Sequence, residues 1–217
     1  MMGIRGTLTY VLLVLGLTAN AQQIRLTYEN PKLQPPKYVV TVQEDGSGHF
    51  QSDAGGPPSD NESMPAEAQD RPIHISKPLR EGMFAIARKN KLFAFNCEDG
   101  GKNIAFQGKK TLAYEGPEGQ GSCIYNWSKK ADINKLTDQF ESIATTLEEG
   151  SRLERQYEHG RLSLDAEMEV LEQMVHEGRA IEVENIAPIL QKLAGDEAVL
   201  QRVQRRAKAL LEGAPND

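Results

Sequence analysis

The 217-residue chain has few of the residues that build metal clusters and redox centres. It contains two cysteines and four histidines, which leaves little material for a metal cluster. The cysteines do not form a C-x-x-C motif, the spacing typical of redox and zinc sites. No G-x-S-x-G nucleophile elbow occurs either. These absences argue against thiol and serine-nucleophile chemistry, and we expect no cofactor.

Basic residues are also in the minority, with 25 lysines and arginines against 31 aspartates and glutamates. Nucleic-acid-binding proteins normally carry a basic excess or stripe, so no nucleic-acid partner is expected. The composition, 39% hydrophobic and 26% charged, is typical of a folded globular protein. It excludes a wholly disordered chain and a membrane protein with several spans.

The N-terminal segment has the pattern of a secretory signal peptide. Arg5 precedes an apolar run over residues 8–18, and Ala19-Asn20-Ala21 matches the small-x-small cleavage pattern. We therefore predict a signal peptide over 1–21 and a mature chain that starts at Gln22, periplasmic or secreted. The alternative, a membrane anchor, is disfavoured because spanning a bilayer takes about 20 apolar residues. No later segment is long and apolar enough to span.

The two cysteines, Cys97 and Cys123, fit an exported protein. Disulfides form and persist in oxidising compartments, so the sequence predicts a structural bridge between them. Two buried free thiols and a reactive cysteine are the alternatives.

Residues 22–130 have the character of an α+β domain. Its first half is predicted as an extended polar segment over 22–36, strands over 38–42, 49–52 and 71–75, and a mobile polar loop over 54–70. Asp45-Gly46 between two strand-like runs is a hairpin signal. The loop is predicted because its Gly, Pro, Ser and acidic residues cannot bury enough surface to offset the entropy of ordering.

A helix is predicted over 77–90, with Ser76 as its N-cap and Pro78 in its first turn. The alternative for this stretch is a hairpin. Further strands are predicted over 103–107, 110–114 and 122–127, with 92–97 as another candidate and a turn-rich break over 116–121.

From Ala131 onward the pattern is helical. Apolar residues at spacings of three and four predict a long amphipathic helix over 131–159, ended by Gly160. Three shorter helices follow, starting near Ser163, Ile186 and Asp196. The fold class is therefore a mostly antiparallel sheet packed by helices, followed by about four antiparallel helices over 131–213. These helices pack on the sheet or beside it.

Several segments together resemble exported bacterial domains with a hairpin, helix and β-meander order. They are the strand around Tyr38, the turn Asp45-Gly46-Ser47-Gly48 with Phe50, the strand with Ile73 and Ile75, the strand Gly108 to Tyr114, and Ile143 to Glu148. The resemblance covers about residues 24–160. It implies the fold and an exported location, and it implies no activity.

One helical face offers candidates for a metal site. Glu169, Glu172 and His176 lie three and four residues apart, which places them on one side of a helix. Carboxylate and imidazole groups at that spacing can ligate a transition metal with help from a second helix. The alternative, which we favour, is a solvated acidic face, since Glu is a strong helix former.

Two groups of residues are candidates for a partner surface. Tyr125 and Trp127 lie on a predicted strand, where exposed aromatic side chains would provide a docking strip. Arg202, Arg205 and Arg206 crowd the last helix, where cations also complement the helix dipole. We therefore expect a non-catalytic interaction module with an unidentified protein or envelope partner. An enzyme of unrecognised, hydrolase-like type and a metal or small-ligand sensor are the alternatives.

Overall fold

The computed structural model of the protein describes residues 22–56, 65–99 and 104–213. The predicted signal peptide, 1–21, lies outside these ranges. The strands are β1 (Gln23–Glu29), β2 (Lys37–Gln43), β3 (Ser47–Ser52), β4 (Gln69–His74), β5 (Lys109–Gly116) and β6 (Gly119–Tyr125). The helices are α1 (Lys77–Lys89), α2 (Ala131–His159), α3 (Leu164–His176), α4 (Ala187–Gly195) and α5 (Gln201–Glu212). Within the described ranges, no helix is long and apolar enough to cross a membrane.

The six strands form one antiparallel sheet in the order β4-β3-β2-β1-β5-β6. Strand β1 is near its centre and pairs with both β2 and β5. Ile24, Leu26 and Tyr28 alternate with polar residues along β1 and turn to the buried face of the sheet. The segment predicted only as extended and polar is therefore a central strand.

Helices α1 and α2 cover the buried face of the sheet. Helix α1 contributes Met83, Phe84 and Ala87, and α2 contributes an apolar stripe that includes Phe140. The second half of α2 continues past the sheet and packs against α3 and α4, while α5 packs on both of these. One cluster of buried side chains runs through both regions, because helix α2 contributes to each. The predicted α+β fold, with its C-terminal run of helices, is confirmed.

Some local predictions are wrong. Residues 104–107 do not form a strand, and 92–97 begins with a single helical turn, Lys91–Phe93, instead of a strand. The hairpin alternative for 77–90 is also wrong, because this segment is helix α1. The predicted break over 116–121 is shorter, since β6 already starts at Gly119. The last helix begins at Gln201, later than Asp196.

The cysteines Cys97 and Cys123 are paired as a disulfide, with Cα atoms 5.6 Å apart. The bridge ties the segment after the turn Lys91–Phe93 to strand β6. The predicted pairing is therefore found in the structure.

A short segment between α3 and α4 joins the helical region to the sheet edge. The side chain of Asn185 accepts a hydrogen bond from the main-chain N–H of His74 (2.7 Å) and donates one to its carbonyl oxygen (2.8 Å). The carboxylate of Glu182 accepts bonds from the main-chain N–H and the hydroxyl of Ser76 at 2.7 and 2.6 Å. Asn185 thus satisfies the main-chain N–H and carbonyl groups of His74 at the outer edge of β4. Pro72, on the same strand, has no main-chain N–H to donate.

Candidate functional site

A polar cleft of about 290 Å³ opens where the ends of β5 and β6 meet helix α2. The residues that carry its chemistry are Lys110, Trp127, Asn134, Asp138 and Glu141, with Gln107, Tyr125, Asn126 and Thr137 completing the wall. Asn134, Asp138 and Glu141 follow one another at spacings of four and three along α2, so they share one helix face. The sheet supplies the cationic side of the cleft and the helix the anionic side.

Lys110 is a buried lysine, only 6% exposed. It occupies an inward position of β5 in alternation with Leu112 and Tyr114. Its ammonium group donates hydrogen bonds to the main-chain oxygens of Gln107 (3.3 Å) and Asn126 (3.2 Å). Burial lowers the pKa of Lys110, because desolvation disfavours the charged form, while the nearby carboxylate of Glu141 opposes that shift.

Two stacked tyrosines lie behind Lys110, outside the cleft wall. The ring centres of Tyr28 and Tyr38 are 5.1 Å apart, and the Lys110 nitrogen is 5.4 Å from the centre of the Tyr28 ring. The Tyr28 hydroxyl donates to the same Gln107 carbonyl oxygen that Lys110 uses. Burial raises the pKa of Tyr38 well above its usual range, so this phenol is neutral at physiological pH.

Glu141 provides a partly buried carboxyl group on the opposite wall. Burial raises its pKa, the charge of Lys110 opposes the rise, and the neighbouring Asp138 adds to it. Lys110 and Glu141 thus each favour the charged form of the other. Asp138 is exposed at the same wall. The cleft therefore presents a cation and two acidic groups to one ligand-sized volume.

Tyr125 and Trp127, the predicted partner-surface aromatics, have different surroundings. Tyr125 is 2% exposed and its hydroxyl lies 2.5 Å from that of Thr137, which itself donates to the Ile133 carbonyl. Tyr125 therefore belongs to the core, because the alternation of β6 turns it inward with Cys123. Trp127 follows the end of the strand, is partly exposed and lines the cleft.

The three candidate metal ligands lie on α3, as the spacing predicts. Two of them form ion pairs with an arginine of α5. The Glu169 carboxylate lies 3.6 Å and the Glu172 carboxylate 3.1 Å from the Arg206 guanidinium, while His176 is exposed at the helix end. Among the described residues, no group of three or more His, Cys, Asp or Glu side chains is arranged to hold a metal ion.

The arginines of α5 are mostly engaged within the helical region. Arg202 and Arg206 form ion pairs of 2.6 and 2.9 Å with Asp165 of α3. Arg205 is exposed. These contacts join α5 to α3, and among the three arginines, all in the described part of the chain, only Arg205 forms no ion pair with α3.

Sequence reasoning missed Lys110, Asp138 and Glu141. A signal for Lys110 is present, since it takes an inward position in the alternation that places Leu112 and Tyr114 in the core. No family model matches the chain. No curated protein matches it either. The chemistry of the cleft is therefore argued from its own geometry.

Proposed function

We propose that the protein is an exported, non-catalytic binding module that takes a neutral, hydroxyl-rich ligand, a saccharide of the cell envelope or its surroundings, in the Lys110 cleft. The observation that carries this proposal is the convergence of the buried Lys110 ammonium with the acidic groups of Asp138 and Glu141 around one opening. Burial shifts the pKa values of Lys110 and Glu141, and titratable groups of this kind that meet in a cleft are typical of functional sites.

The ligand class follows from the mixture of groups. A sugar hydroxyl both donates and accepts hydrogen bonds, so neighbouring hydroxyls can use an ammonium donor and carboxylate acceptors together. Trp127 adds an aromatic surface on which the C–H face of a sugar ring can pack. A strongly anionic ligand would be repelled by the carboxylates of Asp138 and Glu141, and a cationic ligand would be repelled by the ammonium group of Lys110. A neutral polar ligand avoids both conflicts.

A binding role fits Lys110 better than a catalytic one. Its nitrogen donates hydrogen bonds to two main-chain carbonyl oxygens, which hold it in the cleft wall as a hydrogen-bond donor. An enzyme of hydrolase-like type is the second candidate, because the two acidic groups on α2 could act as acid and base. Hydrolysis of a bound oligosaccharide, lost in Glu141→Gln, would favour that alternative.

The proposal can be tested through the fluorescence of the single tryptophan, Trp127. Titration with a panel of monosaccharides and disaccharides should change its emission in a saturable way. Lys110→Met and Asp138→Asn should weaken binding at least about tenfold, which corresponds to about 1.4 kcal/mol. Lys109→Met is the matched control, because this neighbouring lysine is exposed and pairs with Glu29. A panel without any saturable response would contradict the proposal.

The proposed export has its own test. The intact mass of the protein purified from outside the cytoplasm should match a chain that starts at Gln22 and be two hydrogens lighter than the reduced form. A mass of the full-length chain would contradict the signal peptide and favour a membrane anchor.

A further inference from the structure

A second polar cavity, of about 380 Å³, lies between the C-terminal half of α2 and helix α4. Its wall includes Ser151, Glu154, Arg155 and Glu158 of α2, together with Ile189 and Lys192 of α4. It shares no lining residue with the Lys110 cleft. The cavity is therefore separate from the proposed saccharide site.

Arg155 is the unusual residue of this cavity, because it is a buried guanidinium with a donor that has no partner. Its side chain is 8% exposed. One nitrogen, Nη1, donates to the hydroxyl of Ser151 at 2.7 Å, whereas the buried Nε has no hydrogen-bond partner. Arg155 also lines the cavity wall, and a guanidinium group carries five N–H donors, so those that face the cavity are available to an acceptor.

The chemistry of arginine indicates what this acceptor is. The guanidinium group presents its N–H groups in a planar fork that matches the two oxygens of a carboxylate. Phosphate would fit the fork equally well, but three carboxylate side chains also line the cavity, those of Glu67, Glu154 and Glu158. These acidic groups repel a dianion far more than a single carboxylate, so a carboxylate ligand is favoured.

The same acidic residues indicate which chemical group the other end of the ligand carries. Glu154 and Glu158 are four residues apart on α2. Glu154 is half-buried, and Glu158 is exposed. Lys192, the other cation of the wall, lies with its ammonium group 4.2 Å from the centre of the Tyr157 ring. The cavity thus combines a buried cation with acidic groups nearer the solvent. This arrangement complements a molecule that carries a carboxylate and an ammonium group.

We propose that the cavity binds a free α-amino acid in its zwitterionic form. The carboxylate accepts hydrogen bonds from Arg155, and the ammonium group faces Glu154 and Glu158. Ile189 offers an apolar contact for the amino-acid side chain. No bond is made or broken in this step, so the site is one of reversible binding.

The direct test is calorimetric titration of the mature protein with each of the twenty common L-amino acids. We expect at least one to bind. For the tightest one, two analogues separate the contributions of its charged ends: the matching carboxylic acid without the amino group, and the matching amine without the carboxylate. Both should bind at least about tenfold more weakly than the amino acid. Inorganic phosphate, titrated separately, should show no binding.

Three outcomes would overturn the proposal: no binding by any amino acid, equal binding of the deaminated acid, or tighter binding of phosphate. The second would mean a site for simple carboxylates, and the third a site for phosphate groups.

Variants locate the binding in this cavity. Glu154→Gln is expected to weaken amino-acid binding about tenfold while leaving that of the deaminated acid unchanged. Glu197→Gln is the control, because Glu197 is exposed and outside the cavity wall. Arg155→Gln should abolish binding, but it also changes a buried residue. We therefore add NMR of the arginine Nε–H groups in the unmodified protein, where the Arg155 signal should shift on binding. An unchanged Arg155 signal under saturating amino acid would contradict the proposal.

Discussion

Buried acidic side chains on α2 are the clearest residue-scale feature outside the two cavities. Glu149 is 5% exposed, and its Oε2 atom is buried without a hydrogen-bond partner. Its other oxygen lies 3.5 Å from the Arg152 guanidinium. Burial raises the pKa of Glu149, and the charge of Arg152 opposes the rise. The charged form of this carboxyl is therefore less favourable in the folded than in the unfolded chain.

This pKa shift makes the stability of the protein depend on pH, and it fixes the direction of that dependence. Because the folded state binds the Glu149 proton more tightly than the unfolded state, this carboxyl lowers the stability as the pH rises through its range. Glu149→Gln removes the contribution. The free energy of unfolding of the variant, minus that of the wild type, should increase from about pH 4 to about pH 8. Urea unfolding at several pH values measures this difference in the free energy of unfolding. Glu184→Gln, at an exposed position, is the control.

At the scale of elements, α2 packs closely against the segment that leads into α4. Gly150 lies within α2 against Ile186, in the helical turn Val183–Ile186 that precedes α4. A Cβ atom added at Gly150 would overlap Cγ2 of Ile186, whose side chain is fully buried. A glycine within a helix interior is therefore required here by packing.

Gly150→Ala should consequently destabilise the protein by about 1–3 kcal/mol through overpacking, although alanine favours helix. Gly82→Ala provides the matched comparison, because Gly82 also lies within a helix and nothing is within 4 Å of an added Cβ. That substitution should stabilise by about 0.5–1 kcal/mol. Urea unfolding of both variants measures the contrast. A stabilised Gly150→Ala variant would mean that the helix and the turn are not in close contact.

The elements show which patterns the sequence alone can reveal. Strand β2 was predictable from its β-branched and aromatic composition, and helix α2 because its apolar residues repeat with the helical period. Strand β1 was missed although its three inward residues alternate with polar ones, because the polar, proline-rich stretch around it favoured an extended segment without a partner. The cleft was missed for another reason. Lys110 and Glu141 are far apart in sequence, so only the packing of α2 on the sheet brings their charges together.

At the scale of the whole molecule, the sheet and the helical region share one cluster of buried side chains. They are also joined at the sheet edge by Asn185, through its two bonds to His74, and by Glu182, through its bonds to Ser76. Glu182 holds a left-handed backbone conformation, φ 59°, which is uncommon for a residue with a side chain. These contacts predict that the two regions unfold together.

Asn185→Ala tests this coupling. It removes the donor and the acceptor that bind His74, and at about 1 kcal/mol for each hydrogen bond it should cost about 2 kcal/mol. Asn185→Asp should cost at least as much, because it turns a carboxylate oxygen toward the carbonyl oxygens of His74 and Glu182, although it still accepts from the His74 N–H. Unfolding is followed by two probes, Trp127 fluorescence for the sheet end and far-ultraviolet circular dichroism for the helices. In both variants the two transitions should coincide and shift together. If fluorescence and dichroism separate in Asn185→Ala, the segment between α3 and α4, rather than the common core, is what makes the two regions cooperative.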